Sequence, residues 1–72
     1  MYSYRTIKEY LWHADIGHYV SYGIVAYQGG VEVARISDVS VEGDSVKELA
    51  RLCNEYQVSP IHLWDVVEDW IS

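Results

Sequence analysis

The tail of the chain, SPIHLWDVVEDWIS from Ser59 to Ser72, gathers His62, Asp65, Glu68 and Asp69 within eight residues. An imidazole and three carboxylates so close together are the raw material of a metal site or of an acid–base pair. His62, Asp65 and Asp69, at i, i+3 and i+7, would share one side of a helix and could converge on a cation, but no fourth ligand is evident. A working carboxylic acid needs an apolar pocket that raises its pKa. At about 100° per residue, Leu63, Trp64, Val66, Val67, Trp70 and Ile71 take one broad face of a helix, and His62, Asp65, Glu68, Asp69 and Ser72 take the other. The charges therefore cluster because the helix is amphipathic. His62 beside Asp65 could form a weak ion pair. No catalytic residue, metal ligand set or cofactor site is expected; a weak metal-dependent activity through His62 and Asp65 is the enzyme alternative.

The remaining chemistry-bearing residues give no sharper signal. Cys53, the sole cysteine, sits among Leu49, Leu52 and Tyr56 on an apolar arc and reads as a buried, inert thiol. His13 and His18 flank a turn around Asp15. Gly29-Gly30 is a turn rather than a phosphate loop, because no helix follows it. Tyrosine stands out more. The chain has seven, Tyr2, Tyr4, Tyr10, Tyr19, Tyr22, Tyr27 and Tyr56, and no phenylalanine. Tyrosine offers large apolar area with a polar tip, which suits interfaces and also cross-strand pairing. Tyr19, Tyr22 and Tyr27 are the candidates for a tyrosine-bearing binding face of the sheet.

Charge separates the two halves. Residues 1–37 carry three cationic and three anionic side chains, and residues 38–72 carry two and eight, so the whole net charge of −6 lies in the second half. Such a field repels nucleic acid and anionic lipid and attracts a basic partner, though an acidic surface also serves solubility alone. Glu48, Glu55, Asp65, Glu68 and Asp69 are the candidate acidic contacts. Seventy-two residues suggest one domain with a thin core. With no disulfide possible, self-association is one expected aid. The lone cysteine and the absence of a signal-like or membrane-spanning apolar run lead to the expectation of a cytoplasmic protein.

The elements follow from local pattern. SYGIVAYQ and VEVARIS flank Gly29-Gly30, a hairpin with a two-residue turn. That turn sets Gln28 opposite Val31, Ala26 opposite Val33 and Ile24 opposite Arg35. It points Ile24, Ala26, Val31 and Val33 one way and Val25, Tyr27, Ala34 and Ile36 the other. YRTIKEYLW supplies a third strand. DSVKELARLCNEY reads as a helix capped by Asp44 or Ser45, with Ser45 and Glu48 as a capping box. Val46, Leu49, Ala50, Leu52, Cys53 and Tyr56 form its apolar arc, and Arg51 lies within reach of Glu48 and Glu55. Ser59-Pro60 opens the last helix. The expected fold is α+β: a three-stranded antiparallel meander (about 2–12, 18–28 and 31–39) followed by a helical hairpin (about 45–57 and 60–71) packed on one sheet face.

SYGI at 21–24, ISDVS at 36–40 and above all SPIHLWDVVEDWIS at 59–72 resemble an uncharacterised domain-of-unknown-function family of short proteins from anaerobic Gram-positive bacteria and their mobile elements. The resemblance begins at about residue 21 and supports the sheet-then-helices order and a chain that is complete. It implies no activity. The expected function is that of a small acidic, non-enzymatic protein-binding module with a basic protein partner and no direct nucleic-acid or membrane contact. By analogy with acidic mobile-element proteins, a narrower form is an inhibitor of anti-CRISPR or other anti-defence type, whose carboxylates stand in for phosphates. The alternative is a homodimer joined through the second sheet face or an edge strand.

Overall fold

A computed structural model describes residues 1–71; Ser72, assigned above to the polar face of the last helix, lies outside the described residues. The chain forms β1 (Tyr2–His13), β2 (Gly17–Gln28), β3 (Val31–Ser40), α1 (Gly43–Glu55), a 3-10 turn (Pro60–His62) and α2 (Leu63–Ile71). The sheet is an antiparallel meander in the order β1-β2-β3, with the helices on one face, so the α+β reading holds. Gly29 and Gly30 both take positive φ (59° and 79°), as the tight hairpin turn demands.

β1 and β2 pair without interruption, from Tyr2 opposite Gln28 to His13 opposite Gly17. β3 does not follow the simple register. Gln28 faces Val31, but Ala26 faces Ala34 and Ile24 faces Ile36, because an extra residue bulges out beside Tyr27. This corrects the expected side-chain directions. A one-residue slip turns a strand over, so Ala34 and Ile36 join Ile24 and Ala26 on the core face. Val31 and Val33 are left exposed, Val33 at 46%.

The core consists of Tyr4, Ile24, Ala26 and Ile36 from the sheet, Leu49, Ala50 and Cys53 from α1, and Leu63 and Val67 from α2. The opposite face needs no second layer. Val25 is fully buried there, between Arg5 and Arg35 in register. Arg5 lies over the Tyr27 ring and Arg35 is held by Glu32 at 2.7 Å, so arginine stems can cover the valine while their heads stay wet.

The helix ends differ from expectation. α1 starts at Gly43 with no side-chain cap, and Glu48 turns to Arg51 instead of closing a box with Ser45. Gly43 lies against the Tyr22 ring, where an added Cβ would come within 2.8 Å. At the other end, Gln57 takes a left-handed φ of 48°, with Val58 N–H donating to Cys53 O and Gln57 N–H to Asn54 O, the paired bonds of a Schellman ending. Ser59 is extended and Pro60 opens the next turn as expected, but that first turn is 3-10 and Ser59 makes no side-chain cap.

Candidate protein-binding surface

Two polar devices shape the sheet's edges. The first sits where the SYGI and ISDVS segments meet. Tyr22 faces Ser40 and Ile24 faces Ile36, so Gly23 alone opposes the bulged Ser37-Asp38-Val39. Gly23 has no side chain to block the gap, and Glu9 reaches over it from β1. The Glu9 carboxylate accepts from Ser37 Oγ at 2.6 Å and from Asp38 N–H at 2.8 Å. Asp38, at φ 54°, turns its own carboxylate back to accept from Ser21 Oγ and from Tyr19 Oη. The Ser21 hydrogen bond, and then that of Tyr19, hold the Asp38 carboxyl below its ordinary value.

A folded pKa below the unfolded one stabilises the fold above the unfolded value and ceases to do so as pH falls through the folded one. The contribution of Asp38 is therefore present at neutral pH and lost below about pH 4. Urea denaturation of Asp38→Asn is expected to show lower stability at pH 7 and a shallower decline on acidification than the wild type. Equal acid slopes would remove Asp38 from this role.

The second device closes part of the free edge of β1. Asn54 accepts from Tyr4 N–H at 2.7 Å and donates to Tyr4 O at 3.0 Å, and Gln57 does the same for Tyr2 at 2.8 and 3.0 Å. Two carboxamides from the end of α1 thus stand in for a fourth strand. Tyr4 Oη donates to Val58 O, and burial first of all pushes that phenol up to about 12.

Length mismatch does the rest. β1 and β2, at 12 residues each, run about 40 Å, whereas α1 at 13 residues covers about 20 Å. α1 ends beside Tyr2 and Tyr4 and begins over Tyr22, which pairs with Lys8. Beyond that point the β1–β2 hairpin overhangs as an arm. Even-numbered residues of β1 and β2 share the helix-side face, so Tyr10, Trp12 and Val20 reach this face with no helix above them. Tyr10 is 77% exposed and Trp12 63%, with Ile16 exposed at the tip.

The residues chosen from sequence do not form one surface. Tyr22 is half-buried against Gly43 on the helix side, while Tyr19 and Tyr27 lie on the other face, engaged by Asp38 and Arg5. Glu48 and Glu55 bracket Arg51 at 2.6 and 2.9 Å, which offsets their field. Asp65, Glu68 and Asp69 are exposed on α2, Asp69 at the rim of an apolar groove lined by Leu52, Tyr56, Val66 and Trp70. His62 and Asp65 form no ion pair, and no three His, Cys, Asp or Glu side chains among the described residues are grouped to hold a metal. Cys53 is buried, and burial pushes its thiol up. The broad apolar face expected of the last helix is only half used. Leu63 and Val67 are buried, whereas Trp64 and Ile71 are exposed. Tyr10, Trp12, Ile16 and Val20 were not singled out from sequence. The signal available was the same arithmetic: strands expected over 2–12 and 18–28 are about twice as long as a helix expected over 45–57.

These features define a class of protein first: a small meander backed by two helices on one face, with an overhanging aromatic arm. Within that class the chain belongs to a family of unknown function, DUF6514, whose model matches residues 1–72 and so includes the N-terminal strand that the motif resemblance left out. Comparison with curated proteins gives no match, and comparison with solved structures gives none either. Among the described residues no helix is long and apolar enough to cross a membrane.

Proposed function

We propose that the protein is a non-enzymatic, protein-binding module of the cytoplasm whose working surface is the overhanging arm. The observation that carries this reading is the exposure of Tyr10 and Trp12, with Val20 beside them, on a sheet face that the helices stop short of covering. Large aromatics held on a rigid strand pair contribute contact area at little entropic cost, which is why such residues anchor interfaces. Their solvation in a small domain with so thin a core is otherwise a liability.

The narrower expectation, an inhibitor that meets a basic nucleic-acid-handling protein through carboxylates, is a competing reading. Exposed Asp65 and Asp69 favour it; the Arg51 bracket weighs against Glu48 and Glu55. One experiment separates the two. Tagged wild type, Trp12→Ser/Val20→Ser, and a variant with Glu48, Glu55, Asp65, Glu68 and Asp69 neutralised are used to capture partners at low and high salt. The captured protein is then purified and titrated directly. The arm reading expects a salt-resistant partner lost only by the arm variant, weakened about a hundredfold for an aromatic anchor. A salt-sensitive partner lost only by the carboxylate variant would replace it with the acidic-face reading.

A further inference from the structure

The two edges of the sheet are treated differently. β3 is bulged twice, beside Tyr27 and opposite Gly23, and bulges spoil an edge for pairing. β1 has no bulge. Because both backbone groups of Tyr2 and Tyr4 go outward to Gln57 and Asn54, antiparallel alternation sends those of Thr6, Lys8, Tyr10 and Trp12 outward too. Among the described residues no carboxamide closes these, and four residues of regular edge are left without a hydrogen-bond partner for their N–H and C=O groups, on the arm that carries the exposed aromatics.

We infer that the open β1 edge pairs antiparallel with the β1 edge of a second copy, about a two-fold axis at Tyr10. Outward residues must meet outward residues, which restricts the choice of register. An axis at Lys8 sets Lys8 on Lys8, and one at Glu9 sets Glu9 on Glu9. The axis at Tyr10 sets Tyr10 on Tyr10, Lys8 beside Trp12, Ile7 beside His13 and Glu9 beside Leu11, and it brings Arg5 towards Asp15 of the other copy. With Tyr2 and Tyr4 already closed by the carboxamides, it is the longest outward register on the open edge free of like-charge pairs, and it suits a lysine beside an indole. Charge also selects the second copy's approach. Two molecules of net charge −6 repel through their helices, but residues 1–37 are balanced, so the β1 edge is where they can meet.

The geometry leaves the Asn54–Gln57 clamp undisturbed, because Tyr2 and Tyr4 fall outside the paired segment. It yields a continuous six-stranded sheet whose helices lie on one side, since an axis normal to the sheet keeps faces together. Tyr10, Trp12 and Val20 of both copies then line a single floor between the two α1 starts. The inference rests on the reading of the arm as the working surface and deepens it: the floor is complete only in the dimer.

Sedimentation equilibrium reads the pairing without any other partner. The wild type is expected to be a dimer at high micromolar concentration, with the amides of Lys8, Tyr10 and Trp12 gaining hydrogen-exchange protection as concentration rises. Tyr10→Pro removes a donor that the monomer does not use and should weaken the dimer about tenfold or more. Tyr10→Asp and Tyr10→Lys should each be monomeric and recover dimer when mixed, a result that misfolding cannot imitate. A monomeric wild type overturns the pairing while the capture experiment judges the arm separately. A dimer that Tyr10→Pro leaves intact, or charge variants that fail to recover on mixing, overturns the register.

Discussion

Gly23→Ala is expected to be close to unfolded at room temperature. An added Cβ would sit 2.5 Å from the Ile36 carbonyl oxygen and 2.9 Å from a Glu9 carboxylate oxygen. The first of these is backbone and cannot swing aside. Either β2 and β3 separate locally or Glu9 leaves the gap, stranding the Asp38 N–H and Ser37 hydroxyl that it serves. Overpacking costs about 1–3 kcal/mol, and each abandoned hydrogen bond adds about 1 kcal/mol. The sum, about 3–5 kcal/mol, approaches the whole stability of a domain this size. Gly29→Ala is the control. Nothing lies within 4 Å of its added Cβ, and only the positive φ is penalised, by about 1–2 kcal/mol. Chemical denaturation of both variants checks the contrast; a Gly23→Ala protein as stable as Gly29→Ala would mean that Glu9 does not cross there.

Leu63→Ala is the second large effect. α2 reaches the core through Leu63, fully buried, and Val67, at 3% exposure. Val66 and Trp70 pack only partly, and Trp64 and Ile71 face water. Removing a leucine side chain from so small a contact is expected to cost about 3–4 kcal/mol. It should also release α2 before the sheet, because half of its attachment is gone. Native-state hydrogen exchange should show α2 amides exchanging far faster in the variant while β2 amides follow global stability. Uniform loss of protection across both would show that α2 is not a separate unit. Trp64→Ala, by contrast, should shift stability by no more than about 0.5 kcal/mol.

What could be read from the residues, and what could not, divides along physical lines. Gly29-Gly30 dictates its turn because two positive φ angles admit little else. Ser59-Pro60 marks a helix start because proline lacks the amide that a first turn does not use. The apolar arc of α1 needs only the helical period. The direction of β3 was not legible in this way. Val31, Val33, Ala34 and Ile36 offer apolar residues in both parities, so either face could be buried, and only the bulge beside Tyr27 decides. The capping box failed because α1 already starts at Gly43, which puts Ser45 inside the first turn, and Glu48 is held by Arg51 instead. The candidate tyrosines were chosen by type, but strand parity sorts Tyr22 from Tyr19 and Tyr27, and cover by α1 is what separates Tyr4 from Tyr10. Exposure of the arm is a property of relative element lengths rather than of any residue's chemistry.

The carboxamide clamp on Tyr2 and Tyr4 also orders events in time. Asn54 and Gln57 lie 50 and 55 residues along the chain from the groups they close. The β1–β2 hairpin, in contrast, is joined by a turn of a few residues, and such local contacts form early. A chain leaving the ribosome therefore presents the arm, fully paired within itself, well before the clamp exists. Until α1 is complete, the open edge of β1 runs its whole length. The partner-seeking part of the molecule is the first to be born, and the carboxamides of α1 later restrict how far along that edge a neighbour can zip.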